Sequence, residues 1–157
     1  MNISISIRQA TKEDLPEITA LFRSTIINTC SKDYSEKQIN VWASAANDTD
    51  TWIERINDYY FIVAEQNSLI VGFAYLKKGY YLDGLFVHQD YQRQGIASAL
   101  LRTIESRVMI EEFPEIRSDV SKTALPFFEA WDYTTIKKQK KSFKGMGFEN
   151  YIVTKTL

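Results

Sequence analysis

Leu85-Phe86-Val87-His88-Gln89-Asp90-Tyr91-Gln92-Arg93-Gln94-Gly95-Ile96-Ala97-Ser98-Ala99-Leu100-Leu101 decides the reading of this chain. It opens as an apolar run, crosses a polar turn, and continues as a helix with small residues at its start. A strand, a glycine-bearing loop and a helix in that order suit an anion held by main-chain N–H donors. Gly95 lets Gln92-Arg93-Gln94-Gly95-Ile96-Ala97 bend sharply, and Ala97 permits close approach to the helix. A helix start offers unpaired donors and a dipole favouring an exposed negative charge by about 0.3–1 kcal/mol. Diphosphate is a good occupant, and Arg93 either adds a charge-assisted contact or is a solvated surface side chain.

The strands before this stretch follow one another closely. Phe61–Glu65 and Leu69–Leu76 flank a turn at Gln66-Asn67-Ser68, and Lys77-Lys78-Gly79 turns the chain into Tyr80–Val87. Gly84 sits inside that last strand. A mid-strand glycine costs roughly 0.5–1 kcal/mol relative to alanine, so its presence predicts a bulge or a close backbone approach.

Upstream, Ile3, Ile5 and Ile7 alternate with polar residues as a half-buried first strand. Thr11-Lys12-Glu13-Asp14 reads as a capping box before a helix striped with Leu15, Ile18, Phe22 and Ile26. A second helix starts at Ser35, with Gln38 at the capping-box position. Trp52, Ile53 and Ile56 mark a short third one. Downstream, the helix from about Gly95 to Met109 carries Ile96, Leu100, Leu101, Ile104 and Val108 inward. Ile116–Val120 reads as a short strand, Ser121 as the cap of a helix through Trp131. Thr134–Phe143 and Phe148–Thr156 read as a terminal hairpin across Gly145-Met146-Gly147.

Helices inserted among strands predict an α/β or mixed α+β domain with a central mixed sheet. A doubly wound nucleotide-binding fold fits less well, because its glycine fingerprint follows the first strand and this one lies past the middle. The 157 residues fit one domain. A 45% hydrophobic and 25% charged composition excludes a disordered or fibrous chain. A net charge of -1 implies no general nucleic-acid affinity. Lys137-Lys138-Gln139-Lys140-Lys141 reads as a solvated edge strand, since lysine discourages sheet-to-sheet association. A single cysteine, Cys30, rules out an intramolecular disulfide and paired-thiolate zinc, and it reads as a small core residue. No apolar stretch is long enough to cross a bilayer, and no secretion signal opens the chain. The cytoplasm is the expected compartment, and no membrane or metal is called for.

Gln92-x-x-Gly95-x-Ala97, placed after Leu85-Phe86-Val87 and before the helix at Ser98–Val108, resembles the acetyl-coenzyme A motif of the GCN5-related N-acetyltransferases, the GNAT superfamily. The order of helices and strands extends the resemblance over essentially the whole chain. Tyr81-Leu82-Asp83-Gly84-Leu85-Phe86-Val87 and Lys122-Thr123-Ala124-Leu125-Pro126-Phe127-Phe128-Glu129 resemble its YafP-like branch.

The resemblance implies the acyl-CoA N-acyltransferase GNAT fold, a twisted mixed sheet flanked by helices. It implies that the strand bearing Gly84 splays away from the next parallel strand. Leu85, Phe86 and Val87 would offer main-chain contacts to pantetheine, Gln92, Arg93, Gln94, Gly95, Ile96, Ala97 and Ser98 would surround the pyrophosphate, and Phe127 and Phe128 would pack on the arm. The implied reaction is transfer of acetyl from acetyl-CoA to a primary amine of a small molecule or peptide by direct attack. It needs a proton acceptor and an oxyanion donor, but no cysteine intermediate. Asp83, beside Gly84, is the first candidate base and Glu65 the second. The family's usual proton-donating tyrosine falls on Phe128, which carries no proton, and Ser121 stands where many relatives have asparagine. Tyr133, Tyr81, Tyr80 or bound water remain as donors. Tyr34, Trp42, Phe143, Phe148 and Asn150 are candidates for the acceptor pocket or for packing. Other readings are transfer of another short acyl group, or a catalytically inactive acyl-CoA-binding sensor or partner protein. A homodimer through the terminal hairpin is compatible with the sequence.

Overall fold

A computed structural model describes residues 4–157. The elements run β1 (Ser6–Gln9), α1 (Leu15–Thr29), α2 (Glu36–Ala43), α3 (Thr49–Asp58), β2 (Tyr60–Gln66), β3 (Leu69–Lys77), β4 (Tyr81–Val87), α4 (Ile96–Ile110), β5 (Glu115–Ser121), α5 (Leu125–Ala130), β6 (Thr134–Phe143) and β7 (Met146–Thr156). The seven strands form one sheet in the order β1-β2-β3-β4-β5-β7-β6. Only β4 and β5 pair in parallel, joined by the α4 crossover. The mixed α/β sheet expected from the sequence is therefore present. Ile3 lies outside the described residues, and β1 begins after Ile5.

The two faces of the sheet carry separate cores. One packs α4 and α5 through Leu100, Leu101, Ile104, Val108 and Phe128 against Ile62, Leu76, Leu82 and Val87. The other packs α1, α2 and α3 through Ile18, Phe22, Ile26, Ile39 and Trp52 against Phe61, Val63, Phe73 and Tyr75. Burial on both faces explains why β3 reads as a nearly unbroken apolar run.

Local chemistry fixes the start of α2 as the sequence predicts. Ser35 Oγ accepts from Gln38 N at 3.1 Å, and Gln38 Oε1 accepts from Ser35 N at 2.8 Å. Asp14 Oδ2 accepts from Thr11 N at 2.8 Å and also receives Arg8. A 3-10 turn at Lys12–Asp14 intervenes before α1 proper. Ser121 takes a different part from the one expected. Its Oγ accepts from Ala124 N at 3.1 Å, so it holds the turn before α5, whose cap position is Ala124.

The terminal hairpin turns tighter than Gly145-Met146-Gly147 suggests. Lys144 and Gly145 make the turn with φ of 49° and 79°, and Met146 already pairs with Phe143. The hairpin leans on α2: Gln38 Nε2 donates to Gly147 O at 2.9 Å, and Lys144 Nζ donates to Ser44 Oγ at 2.9 Å. Tyr34 OH donates to Glu149 O at 2.9 Å and accepts from Lys122 N at 3.0 Å. These ties close the hairpin and the end of β5 over the helices.

Candidate active site

β4 and β5 stay together only at Tyr81–Arg117 and Leu82–Ser118. Beyond that point β5 keeps only β7 and β4 keeps only β3. From Asp83 onward, the β5-facing edge of β4 therefore has no strand partner among the described residues. Ser118 marks the fork, its Oγ donating to Leu82 O at 2.6 Å. The opening is a cleft of about 490 Å³ floored by Leu82–Val87 and walled by Phe22, Thr25, Cys30 and Tyr34 on one side and Thr123, Ala124, Phe127 and Phe128 on the other.

One step along β3, from Tyr75 to Leu76, corresponds to two along β4, from Gly84 to Leu82. Asp83 is the extra residue, so the bulge belongs to it rather than to Gly84. Gly84 answers a different demand. A Cβ there would stand 2.3 Å from Tyr75 Cε1, so the missing side chain lets the Tyr75 ring cross β4. Asp83 is exposed, and among the described residues it makes no ion pair or hydrogen bond. It lines both the cleft and an adjoining groove of about 690 Å³.

Four residues on from the bulge, about 13 Å along the strand, β4 reaches the loop to α4. Gly95 holds φ 82° at the helix cap, a conformation that favours glycine, and faces open space. The first helical bond runs from Ala99 N to Gly95 O at 3.0 Å. The N–H groups of Ile96, Ala97 and Ser98 consequently have no acceptor within the helix, and no side chain caps them. Free N–H groups at a helix start favour anions, and Ala97 among these three residues lines the cleft.

The structure gathers Asp83, Leu85, Phe86, Val87, Gln92, Ala97, Phe127 and Phe128 around the cleft. Arg93, Gln94, Gly95, Ile96 and Ser98 do not line it. Arg93 and Gln94 are exposed, and the Ile96 side chain is core, which leaves its N–H as the part facing outward. Gln92 Nε2 donates to Val87 O at 2.7 Å, so its side chain braces the loop rather than reaching for a ligand.

Two of the catalytic candidates lie elsewhere. Glu65 is ion-paired with Arg8 at the β1–β2 pair and does not line the cleft. Tyr133 is buried in the α4-side core and donates to Glu105 Oε2 at 2.7 Å, with Lys155 Nζ 3.2 Å from the same oxygen. Tyr133 does not line the cleft, and burial, then the Glu105 carboxylate, push its hydroxyl well above the usual tyrosine range.

Among the cleft-lining residues passed over by the sequence reading are Tyr75, Arg55, Asp119 and Ser118. The Tyr75 hydroxyl has no hydrogen-bond partner among the described residues and stands over Gly84. Burial pushes it well above the usual tyrosine range, against a smaller lowering by Arg55, so it stays protonated. Burial pushes the Asp119 carboxyl up. Lys141, Tyr81 and Gln139 outweigh that and hold it below the ordinary value. Tyr81, beside Asp119, is pushed up by burial and then by that carboxylate. The one sequence signal for Tyr75 was Gly84 itself: with a bulge at Asp83, the hairpin register places Tyr75 opposite the glycine.

A family model described as an acetyltransferase (GNAT) domain matches residues 30–155. The Escherichia coli (strain K12) protein named "Uncharacterized N-acetyltransferase YafP" is 35% identical over 148 residues, spanning 94% of this chain and 93% of that protein. A crystal structure of a GCN5-related N-acetyltransferase from Rhodopseudomonas palustris has a TM-score of 0.96 at 30% identity, covering 100% of this chain and 99% of that one. The paia N-acetyltransferase of Thermoplasma acidophilum, solved in complex with coenzyme A, shares the fold with a TM-score of 0.77 at 21% identity, covering 99% of this chain and 100% of its own.

Proposed function

This chain belongs to the GNAT family of N-acetyltransferases, and from that premise we propose that it moves the acetyl group of acetyl-CoA to a primary amine of a small molecule or peptide by direct attack. The observation that carries the proposal is the β4–β5 fork, which opens onto the free N-terminus of α4 at one end and onto the Asp83 bulge at the other. The coenzyme A bound by the Thermoplasma relative supports the choice of donor.

Acetyl-CoA would supply an acetyl thioester: the amine nitrogen bonds to the acetyl carbon, the carbon–sulfur bond breaks with its electron pair on sulfur, and the proton lost by nitrogen balances the one gained by the thiol. The N–H groups of Ile96, Ala97 and Ser98 hold the diphosphate. The open edge of β4 at Leu85–Val87 offers main-chain partners to the arm, and Phe127 gives it an apolar wall. Asp83, a carboxylate with no other partner, accepts the proton directly or through water. Tyr75 keeps its proton and offers a hydrogen bond near the thioester, while the leaving thiolate takes its proton from water. Its hydroxyl stands beside the backbone of Gly84, where the thioester would lie.

The test is thiol release from acetyl-CoA across a panel of amines and peptides. Turnover with at least one acceptor class is expected. Asp83→Asn lowers kcat/KM about 10²-fold or more at pH 7 with little change in acetyl-CoA affinity, and Tyr75→Phe lowers it about 10-fold. Saturable acetyl-CoA binding without thiol release from any acceptor would overturn the proposal in favour of a sensor.

A further inference from the structure

Four charged side chains line the cleft: Arg55, Lys141, Asp83 and Asp119. Lys141 and Asp119 pair with each other. The other two stand alone. Among the described residues the side chain of neither Arg55 nor Asp83 makes an ion pair or a hydrogen bond, with each other or with any neighbour. Both lie around Tyr75. The Arg55 guanidinium carbon is 5.3 Å from the Tyr75 ring centre and 4.7 Å from that of Trp52, while Asp83 is the bulge beside the glycine that the Tyr75 ring crosses. The aromatic faces orient the guanidinium and attract its charge weakly, but they satisfy none of its five donors.

A partly buried arginine held this way is matched by a carboxylate, which its planar fork takes with two hydrogen bonds. The free carboxylate of Asp83 is matched in turn by an ammonium. An apolar wall of Trp42 and Phe148, with ring centres 6.2 Å apart, belongs to the same cleft.

We infer that the acceptor is a zwitterion, an amino-acid-like amine whose carboxylate binds Arg55, whose amine faces Asp83, and whose apolar side group rests on the aromatic wall. This rests on the acetyl-transfer reading for the role of the amine. The anion site itself does not depend on turnover. The carboxylate fixes the amine beside Asp83 and the fork, so Arg55 is a specificity residue that touches substrate and not the bond being made.

The experiment pairs ligands that differ only at the carboxylate. Calorimetry on the coenzyme A-loaded protein compares N-acetyl-phenylalanine with N-acetyl-phenylalaninamide. Thiol release compares phenylalanine, phenylalaninamide and phenethylamine. In the native protein the carboxylate binds at least about 10-fold more tightly than the amide, and phenylalanine has the lowest KM. In Arg55→Gln the discrimination collapses, while affinity for the amide and for acetyl-CoA is unchanged, and Arg55→Lys restores part of it. The ratio of two ligands on one variant separates this effect from a loss of folding. Equal binding of acid and amide by the native protein, discrimination that survives in Arg55→Gln, or binding of neither ligand would overturn the inference. Arg55-dependent carboxylate binding without thiol release would sustain it while refuting acetyl transfer. Equal turnover of amine and amino acid would do the reverse.

Discussion

Cys30 stands in the wall of the cleft, and it is buried. Burial pushes its thiol up to about 11, a Thr123 hydrogen bond opposes this, and the Asp33 charge adds to the rise. At pH 8 that leaves about one thiolate in a thousand. Modification by a disulfide reagent is therefore expected to run at least 10²-fold slower on the native protein than in urea, and Cys30→Ala is expected to keep kcat/KM within about 2-fold. Rapid native labelling that stops acetyl transfer would contradict this. What the sequence made legible was backbone: the close approach at Gly84, the left-handed turn at Gly95 and the apolar strand after the bulge. The two catalytic candidates that lie outside the cleft, Glu65 and Tyr133, are carboxylate and phenol groups whose partners, Arg8 and Glu105, lie far off in the chain. Composition and spacing carry no record of such pairings, so an engaged group and a free one look alike in sequence.

The bulged strand β4 is the element on which the site depends. It must admit the Tyr75 ring, 3% exposed, directly over Gly84. Gly84→Ala drives a methyl into that ring. The expected destabilisation is about 1–3 kcal/mol, and a thermal melt would read it as a fall of roughly 2–4 °C per kcal/mol for a chain of this size. A melt unchanged to within 1 °C, on the order of the scatter of such a measurement, would mean that Tyr75 does not occupy this position. Amphipathic α1 and α4 and the meander β2–β4 declared themselves through periodicity and turn residues. The bulge position did not, because alternation alone cannot say whether Asp83 or Gly84 is the extra residue. The terminal turn was misjudged for a related reason. Two glycines flank Met146, and only the pairing of Phe143 with Met146 shows that Gly145 turns while Gly147 is in the strand.

At the scale of the whole molecule, two cores on opposite faces of one sheet hold the fork open. The Arg8–Asp14 pair fastens β1 to the start of α1, with the two terminal guanidinium nitrogens each 2.8 Å from a carboxylate oxygen. Hydrogen bonds from Arg8 hold the Asp14 carboxyl below its ordinary value of 3.8, against an opposing effect of burial and with help from Thr11 N–H. A depressed folded value stabilises the fold fully above the ordinary value, and this contribution is lost as pH falls through the folded one. The urea midpoint is expected to drop between pH 5 and pH 3 more for the native protein than for Asp14→Asn, and equal drops would refute the assignment. Fold order was legible over nearly the whole chain because each element carried its own pattern. The acceptor side was not, because Arg55, Tyr75, Trp42 and Phe148 come together only through packing.

The central claim is that the fork and the α4 N-terminus together grip acetyl-CoA, and titration calorimetry tests it most directly. The account predicts saturable one-to-one binding of acetyl-CoA. It also predicts at least about 10-fold weaker binding of pantetheine, which lacks the diphosphate that the N–H groups of Ile96, Ala97 and Ser98 would hold. No saturable binding, or equal affinity for pantetheine, would contradict it.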